Sequence, residues 1–585
     1  MSGPSLPTLP RIPGLGRVPG GAALDALPRL PGAGLLPGLG RRAAAEGRPR
    51  PRRVAIVGTG FSGIGMAIAL RRAGHEEITL FERGDDVGGV WARNTYPGAA
   101  CDVPSYVYSF SFAQRRDWSR PCSPQAEVHA YLRRVAHEHG VMDDVRFGTE
   151  IVGARWDEAA CTWTLTASDG RTFEADVLVP ACGQLTRPMV PDVPGADDFA
   201  GPMFHSAEWD HDVDLRGRRV AVIGTGASAV QFVPPVAEEA AHVDVYQRSA
   251  PYMLPRTNAP YPRVVREAIE RVPGAQTVRR EGGRLMLEGL IAGFTVVPPA
   301  RAALEGFSRA FMRLQTPDAE LRAKTTPDYP LGCKRMLFSS HYLPALGRDD
   351  VDLVVEDIDH LTADGIVTAD GRERKADVVV WGTGFQTRFV APMRVHGRGG
   401  RELTETWGDA PRAHHGITVA SFPNLFLLYG PNTNLGVGSI VEMIEAQTGY
   451  VVDALRRLDA EDADAMDVEP TVMAVSDARV QERLQGSIWT RCNSWYRVQG
   501  GRVTTNWPGF MREYAARVRR VRPSEYAFWR RPVPGDGVRD AAGPGDERAH
   551  AARPDEATAP GDRGRARAVP ASARDRGTTT DRSTR

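Results

Sequence analysis

Val54-Ala55-Ile56-Val57-Gly58-Thr59-Gly60-Phe61-Ser62-Gly63 decides how this chain is read, because an apolar run breaks on a Gly-x-Gly-x-x-Gly turn and continues as a helical stretch, Ile64 to Ala73. A second apolar run, Ile78 to Phe81, comes next and ends at Glu82. Strand, glycine turn, helix and strand in that order make a dinucleotide-binding corner. Gly58 allows the tight turn, Gly60 lets a pyrophosphate approach the backbone, and Gly63 lets helix and strand pack closely. The helix N-terminus turns amide donors and partial positive charge toward the phosphates. After 166 residues the pattern returns: Val220-Ala221-Val222-Ile223 runs into Gly224-Thr225-Gly226-Ala227-Ser228-Ala229. One such turn is weak evidence; two in one chain point to a pair of dinucleotides held face to face for electron transfer.

The two corners differ in the residues at the end of their second strands. Glu82 lies where a carboxylate accepts from a ribose hydroxyl and repels a 2′-phosphate, which favours FAD or NAD at the first site. At the second corner the strand Val243 to Tyr246 leads into Gln247-Arg248-Ser249, with no acid at the ribose position. A guanidinium there pairs bidentately with a 2′-phosphate, so NADPH is expected over NADH.

The rest of the chain sets bounds. With 585 residues, 25% charged and 42% apolar, the composition suits a globular protein of two or three domains. A net charge of +1 gives no global field for nucleic acid. Cys101, Cys122, Cys161, Cys182, Cys333 and Cys492 are scattered without a CxxC pair; no spacing suggests a zinc site or a disulfide framework, and a reducing cytoplasm is the simplest setting. No run reaches the roughly 18 apolar residues of a membrane span. The nearest, Leu285 to Val297, is broken by Glu288 and reads as a buried helix or a pocket wall. The N-terminus lacks a compact signal core.

The expected architecture is α/β, with two Rossmann-like dinucleotide-binding domains, a helical insertion, and disordered arms at both ends. Residues 1–52 form a Pro/Gly/Arg-rich arm, with nine arginines by Arg53 against Asp25 and Glu46, and 531–585 form a polar tail. Between them lie a first part of an FAD domain (53–190), an NADP domain (191–385), and a second FAD part with a substrate or lid region (386–530). Buried parallel strands are expected at 53–58, 77–82, 176–181, 219–224, 242–247, 376–381 and 424–429. The insertion at about 262–325 reads equally as a wall of a substrate cavity or as a structural cap.

Longer motifs carry a family resemblance. Gly88-Gly89-Val90-Trp91-Ala92-Arg93-Asn94-Thr95-Tyr96-Pro97-Gly98-Ala99-Ala100-Cys101-Asp102 resembles a GGxW…YPGxxxD segment of class B flavoprotein monooxygenases. The segment from Phe199 through Gly201 and His205 to Trp209-Asp210 resembles the FxGxxxHxxxW(P/D) pattern of Baeyer–Villiger monooxygenases. Gly332-Cys333-Lys334-Arg335 resembles that family's GxKR segment, and Trp381-Gly382-Thr383-Gly384-Phe385 its ATGF segment. The resemblance covers roughly residues 53 to 530.

That resemblance implies an NADPH- and O2-dependent flavoprotein monooxygenase. It would convert a ketone or aldehyde, small and apolar, to an ester or lactone through a C4a-peroxyflavin on FAD. Arg335 matches the catalytic arginine and Asp102 the acid that orients it. Lys334, Arg248 and Ser249 would hold the NADP phosphate, with Thr225, Gly226, Ala227, Ser228, Ala229 and Gln231 wrapping the pyrophosphate. Gly58, Gly60, Phe61, Ser62, Gly63, Glu82, Gly89, Val90, Trp91, Asp102 and Tyr108 would contact FAD, with Gln125 a weaker candidate. Ile151 would meet the adenine through its backbone, and Cys182-Gly183 and Gly382-Thr383-Gly384 would approach near FAD. Trp495 resembles the tryptophan of a loop closing over NADP, or is a core tryptophan. His205 would sit on a linker that couples the cofactor domains, or is a core histidine with satisfied hydrogen bonds. No metal is expected. The rival readings are an N- or S-oxygenating flavin-containing monooxygenase with the same cofactors and, from another class, a non-catalytic nucleotide-binding protein.

Overall fold

The computed structural model describes residues 49–295, 298–498 and 501–531. The expected arms at 1–52 and 531–585 lie, apart from their innermost residues, outside the described residues.

Strand Val54–Val57 is apolar at every position and wholly buried, as a central parallel strand must be. It pairs in parallel with Ile78–Phe81 on one side and Val177–Pro180 on the other. Because side chains alternate across a strand, the four residues feed two cores. Val54 and Ile56 pack with Ile64, Ile68 and Leu70 of helix Phe61–Arg72, and with Val451 and Leu455 of helix Ile440–Ala460. Ala55 and Val57 face an antiparallel sheet through Ile151, Trp163 and Leu165. Each fully buried aliphatic side chain contributes about 1.5–3 kcal/mol.

The second sheet repeats the scheme. Arg219–Ile223 lies between His242–Tyr246 and Val378–Trp381, both parallel to it. Val351–Val354 and Met203–His205 are the outer strands. Val220 and Val222 face helix Ala227–Glu239, while Ala221 and Ile223 face a three-stranded meander through Leu361 and Ile366.

The strand expected at 424–429 is not regular. Asn424 and Tyr429 have φ of 52° and 59°, left-handed values that interrupt pleating. The segment still lies along Val177–Pro180, with Phe426 N donating to Leu178 O (2.9 Å) and Leu428 N to Pro180 O (3.0 Å).

The insertion forms helices Arg263–Arg271, Ala275–Thr295, Pro298–Gln315 and Ala319–Thr325. It packs on both cores, since Leu287 and Ile291 join the first and Met312 the second. Arg280, 7% exposed, donates to the carbonyls of Tyr106, Val107 and Ser109 and so ties the insertion to the segment after Asp102.

A disulfide corrects the expectation of unpaired cysteines. Cys333 and Cys492 are bonded, with Cα atoms 6.0 Å apart. Their separation of 159 residues is a tertiary fact that local spacing does not reveal. The other four cysteines are free.

Asp467, 7% exposed, accepts from Ser421 N with both oxygens (3.1 and 3.0 Å). Burial, only partly offset by that amide, pushes its carboxyl up from 3.8 to about 7. A raised acid stabilises the fold below its unfolded value and loses that contribution as pH rises through the folded one. Thermal melts from pH 5 to 8 should therefore show Asp467→Asn gaining on wild type by a few degrees, on the order expected for such a shift. A gap that does not change with pH would contradict the assignment.

Candidate active site

The first glycine corner has backbone where any side chain would collide. Gly58 has φ +108°, and a Cβ there would stand 2.7 Å from Ala181 O. A Cβ on Gly63 would stand 1.9 Å from Gly58 O, so helix and turn meet only through glycine. Gly60 faces Gly89, whose Cβ would lie 3.0 Å from Gly60 Cα. Helix Phe61–Arg72 begins with no side-chain cap and no acid in its first turn. Its free amides and positive dipole end therefore fit a phosphate. Glu82 closes strand Ile78–Phe81 and is pinned beside the turn, accepting from Thr59 N (3.2 Å), Thr59 Oγ1 (2.5 Å) and Gly84 N (2.9 Å).

Around this corner stand the other expected contacts. Val90 and Trp91 open the one-turn helix Val90–Arg93, and Trp91 Nε1 donates to Tyr108 Oη at 3.2 Å. Phe61 meets the Tyr108 ring at 5.1 Å, and Ser62 is buried. Gln125 donates to Trp91 O and so acts through the backbone of that helix. Gly183 lies just past strand Val177–Pro180 with φ +71°. The Ile151 side chain is 1% exposed in the core, which leaves only its backbone for a ligand.

The second corner is built the same way and charged differently. A Cβ on Gly224 would stand 2.5 Å from Gly382 O, and Gly226 opens helix Ala227–Glu239 with no side-chain cap and no first-turn acid. Ala229 is fully buried beneath Gly382, which explains the small residue in place of a third glycine. Thr225 Oγ1 donates to Ser249 O (3.3 Å), and Lys334 Nζ donates to Ser249 Oγ (2.8 Å). Burial, then the neighbouring Arg248, lowers the Lys334 ammonium below its ordinary value. Among the described residues neither Lys334 nor Arg248 makes an ion pair. Two cations, a hydroxyl and a helix N-terminus suit a phosphate monoester.

The Gln231 amide accepts from Tyr96 Oη (3.1 Å) and Ala100 N (3.2 Å) and donates to Ala100 O (2.9 Å), so it clasps the 96–100 segment. Its place on the helix, one turn past the glycines, points it across the domain junction.

Between the corners, Arg335 Nη2 donates to Asp102 Oδ2 at 2.5 Å. The pair sits in a recess that leaves the side chains 39% and 22% exposed. Burial raises the Asp102 carboxyl, but Arg335, helped by Arg256, outweighs it and holds the group below its usual value. Asp102 in turn pushes the Arg335 guanidinium up, so it stays charged. Arg256 Nη2 also donates to Cys101 O (2.5 Å), which fixes the backbone beside Asp102. Arg335 and Lys334 line a recess whose other walls are mainly apolar, with Ile291, Met336, Leu435, Val437, Trp489 and Trp507 joined by Tyr496.

The loop that carries Trp495 turns a different ring inward. Trp495 is 39% exposed, whereas Tyr496 is 1% exposed and lines the recess, the two rings 4.5 Å apart. The sequence signal is the adjacent aromatic pair; which one faces in depends on loop geometry. His205 is buried, accepts from Ala207 N (3.1 Å) and lies 5.6 Å from the Phe385 ring, while burial lowers its pKa. Trp209 and Tyr96 both pack on Phe232, at 5.3 and 5.9 Å, so the two motifs share one helix face. Spacing also gives no hint that His414, His415 and Glu525 come together. Burial first, and then the smaller effect of Arg517 and Arg522, lowers both imidazoles there.

Comparison with known proteins agrees with this geometry. A family model described as FMO-like, flavin-binding monooxygenase-like, matches residues 51–266. A Baeyer–Villiger monooxygenase of Pseudomonas aeruginosa is 42% identical over 82% of this chain and 92% of its own length. One from Streptomyces coelicolor is also 42% identical, over 82% and 93%. The solved structure of an oxidized steroid monooxygenase bound to NADP superposes with a TM-score of 0.73 at 32% identity, covering 82% of this chain and 99% of that one. OTEMO in complex with FAD and NADP gives 0.73 at 25% identity, over 82% and 100%.

The depressed Asp102 pKa has a definite pH signature. Its stabilisation is full above the unfolded carboxylate value of 3.8 and is lost as pH falls through the lower folded value. Urea titrations should show wild type above Asp102→Asn by a constant margin from pH 6 to 8, with the margin shrinking only below the ordinary carboxylate range. A margin that already closes between pH 8 and 6 would contradict the pairing.

Proposed function

The chain belongs to the Baeyer–Villiger monooxygenase family of flavin-binding monooxygenases, and we propose that Arg335, oriented by Asp102, is the group around which it inserts oxygen beside an apolar ketone carbonyl. It is an FAD-dependent, NADPH-consuming monooxygenase. The balanced reaction takes ketone, NADPH, a proton and O2 to ester or lactone, NADP+ and water. The first corner, with Glu82, is the FAD site within 53–190 and 386–530. The second, with Arg248, Ser249 and Lys334, is the NADP site within 191–385. A cytoplasmic setting belongs to the same reading, and no helix among the described residues is long and apolar enough to cross a membrane.

Bound FAD, reduced by NADPH, supplies oxygen activation; the protein's own residues supply geometry and charge. Uncapped helix starts at Phe61 and Ala227 hold phosphates, and Glu82 reads a ribose. Arg335 offers positive charge to oxygen anions without releasing a proton, since its guanidinium is held protonated by Asp102. Asp102 keeps that charge at one place in the recess. The apolar walls exclude water and favour a carbonyl substrate with hydrocarbon flanks. The observation that carries the reading is Arg335 in the wall of this recess, held by Asp102 and next to Lys334, which reaches Ser249.

Purified enzyme given NADPH, O2, a ketone panel and a thioether should yield esters or lactones; sulfoxide alone would favour the heteroatom-oxygenating reading. Arg335→Ala should keep its FAD and its reduction by NADPH but lose product formation by on the order of 10²–10³-fold, the scale of losing one oxyanion-stabilising group. Undiminished ester formation would overturn the role. Arg248→Ala should raise KM for NADPH by on the order of tenfold or more while leaving KM for NADH nearly unchanged. An equal loss for both nucleotides would overturn the phosphate assignment.

A further inference from the structure

The loop that carries Trp495 and Tyr496 has few ties to the body of the protein. Among the described residues, the hydrogen bonds of 491–498 stay within 488–504. Arg491 N donates to Ile488 O, Arg497 N to Ser494 O, Val498 N to Arg502 O, and Thr504 N to Tyr496 O. The Arg497 side chain donates to Thr490, Cys492 and Gly501 carbonyls, folding the loop on itself. Two links lead outward from this stretch: the buried Tyr496 ring and the Cys333–Cys492 disulfide. The disulfide joins the loop to the residue immediately before Lys334 and Arg335.

The chemistry around the bond suits exchange. Cys333 is fully buried, whereas Cys492 is half-buried and presents the more open sulfur. Lys334 and Arg335 come directly after Cys333, and Arg497 Nη1 donates to Cys492 O (3.1 Å), so three cationic residues belong to the segments that carry the two sulfurs; cations near a cysteine favour its thiolate and thus thiol–disulfide exchange. The other four cysteines stay free, so the bond is not one of a stabilising set. A solitary disulfide in a large chain of this kind is the pattern of a redox-responsive pair rather than of a secreted scaffold.

We propose that Cys333–Cys492 is a redox modification site: oxidised, it holds the Tyr496 loop against the Arg335 recess, and reduction by a dithiol releases that loop. In the reductive step a thiolate of the dithiol attacks Cys492 Sγ and Cys333 leaves as a thiolate. The second thiol of the dithiol then displaces Cys492, leaving two protein thiols and an oxidised, cyclic reductant. The bond re-forms when a hydroperoxide takes two electrons from the two thiols, releasing water and an alcohol, or two waters from hydrogen peroxide. The functional consequence rests on the monooxygenase reading, since the loop lies beside the residues assigned to NADP and to oxygen.

The test uses full-length, FAD-loaded protein, oxidised with hydrogen peroxide or reduced with dithiothreitol, and Cys492→Ser alongside. Peptide mapping after alkylation should find the 333–492 cross-link in the oxidised sample and two alkylated cysteines in the reduced one. Limited trypsin digestion should cut at Arg491 and Arg497 about tenfold faster after reduction, because cleavage tracks the open population. Cys492→Ser should match the reduced wild type under both treatments, and KM for NADPH should rise in parallel with FAD content unchanged. Failure of the cross-link to form overturns the proposal, and so does a cross-link whose reduction leaves the trypsin rate unaltered. Mapping and proteolysis need no turnover, so a protein inactive on ketones would defeat the proposed function and leave this result standing.

Discussion

The contact between Arg335 and Asp102 joins residues 233 positions apart, one on the segment after the first glycine corner and the other on the segment after the insertion. A carboxylate in a recess needs that cation; breaking a fully buried pair costs about 3–5 kcal/mol, and partial exposure makes this one worth less. Much of the surrounding structure keeps the two ends together. Arg256 holds Cys101, Asn258 holds both N and O of Cys122, Gln231 clasps Ala100, and Arg280 gathers the carbonyls of Tyr106, Val107 and Ser109. Each bond crosses between the halves of the molecule or between the insertion and the first half. The pair is therefore a junction as well as the group proposed to act on oxygen.

The two nucleotide corners show how one backbone solution takes two chemistries. Each uses a glycine with φ near +110° at the strand end and a helix whose first turn is left uncapped. The difference lies in the residues just past the second strand. Glu82 places negative charge at the first corner, while Arg248 and Lys334 place two cations at the second, neither in an ion pair among the described residues. Electrostatics, not fold, distinguishes the two corners, and the proposed ribose and phosphate roles rest on that difference.

Local signals in the sequence carry the parallel strands and both glycine corners, because each depends on residues close in sequence, whereas Arg335 and Asp102 are singled out by the family resemblance and meet only in the fold. Val54–Val57 announces itself by continuous β-branched and apolar residues. Features set by long-range geometry do not show. The run from Asn424 to Tyr429 is apolar enough for a strand, yet left-handed backbone at both ends breaks it. Gln231 sits near the glycine turn in sequence but faces another segment in space. Trp495 is the larger aromatic of its pair, whereas loop curvature buries Tyr496. The Cys333–Cys492 bond spans 159 residues, and only the folded chain brings its ends together.

Oxygen tracing tests the central claim most directly. Purified holoenzyme would be supplied with NADPH, an apolar ketone and 18O2, and the ester analysed by mass spectrometry alongside NADPH consumption. One labelled oxygen in the new C–O–C position, with one NADPH oxidised per ester, is the predicted result. NADPH oxidation without labelled ester across the ketone panel would contradict oxygen insertion at the Arg335 recess.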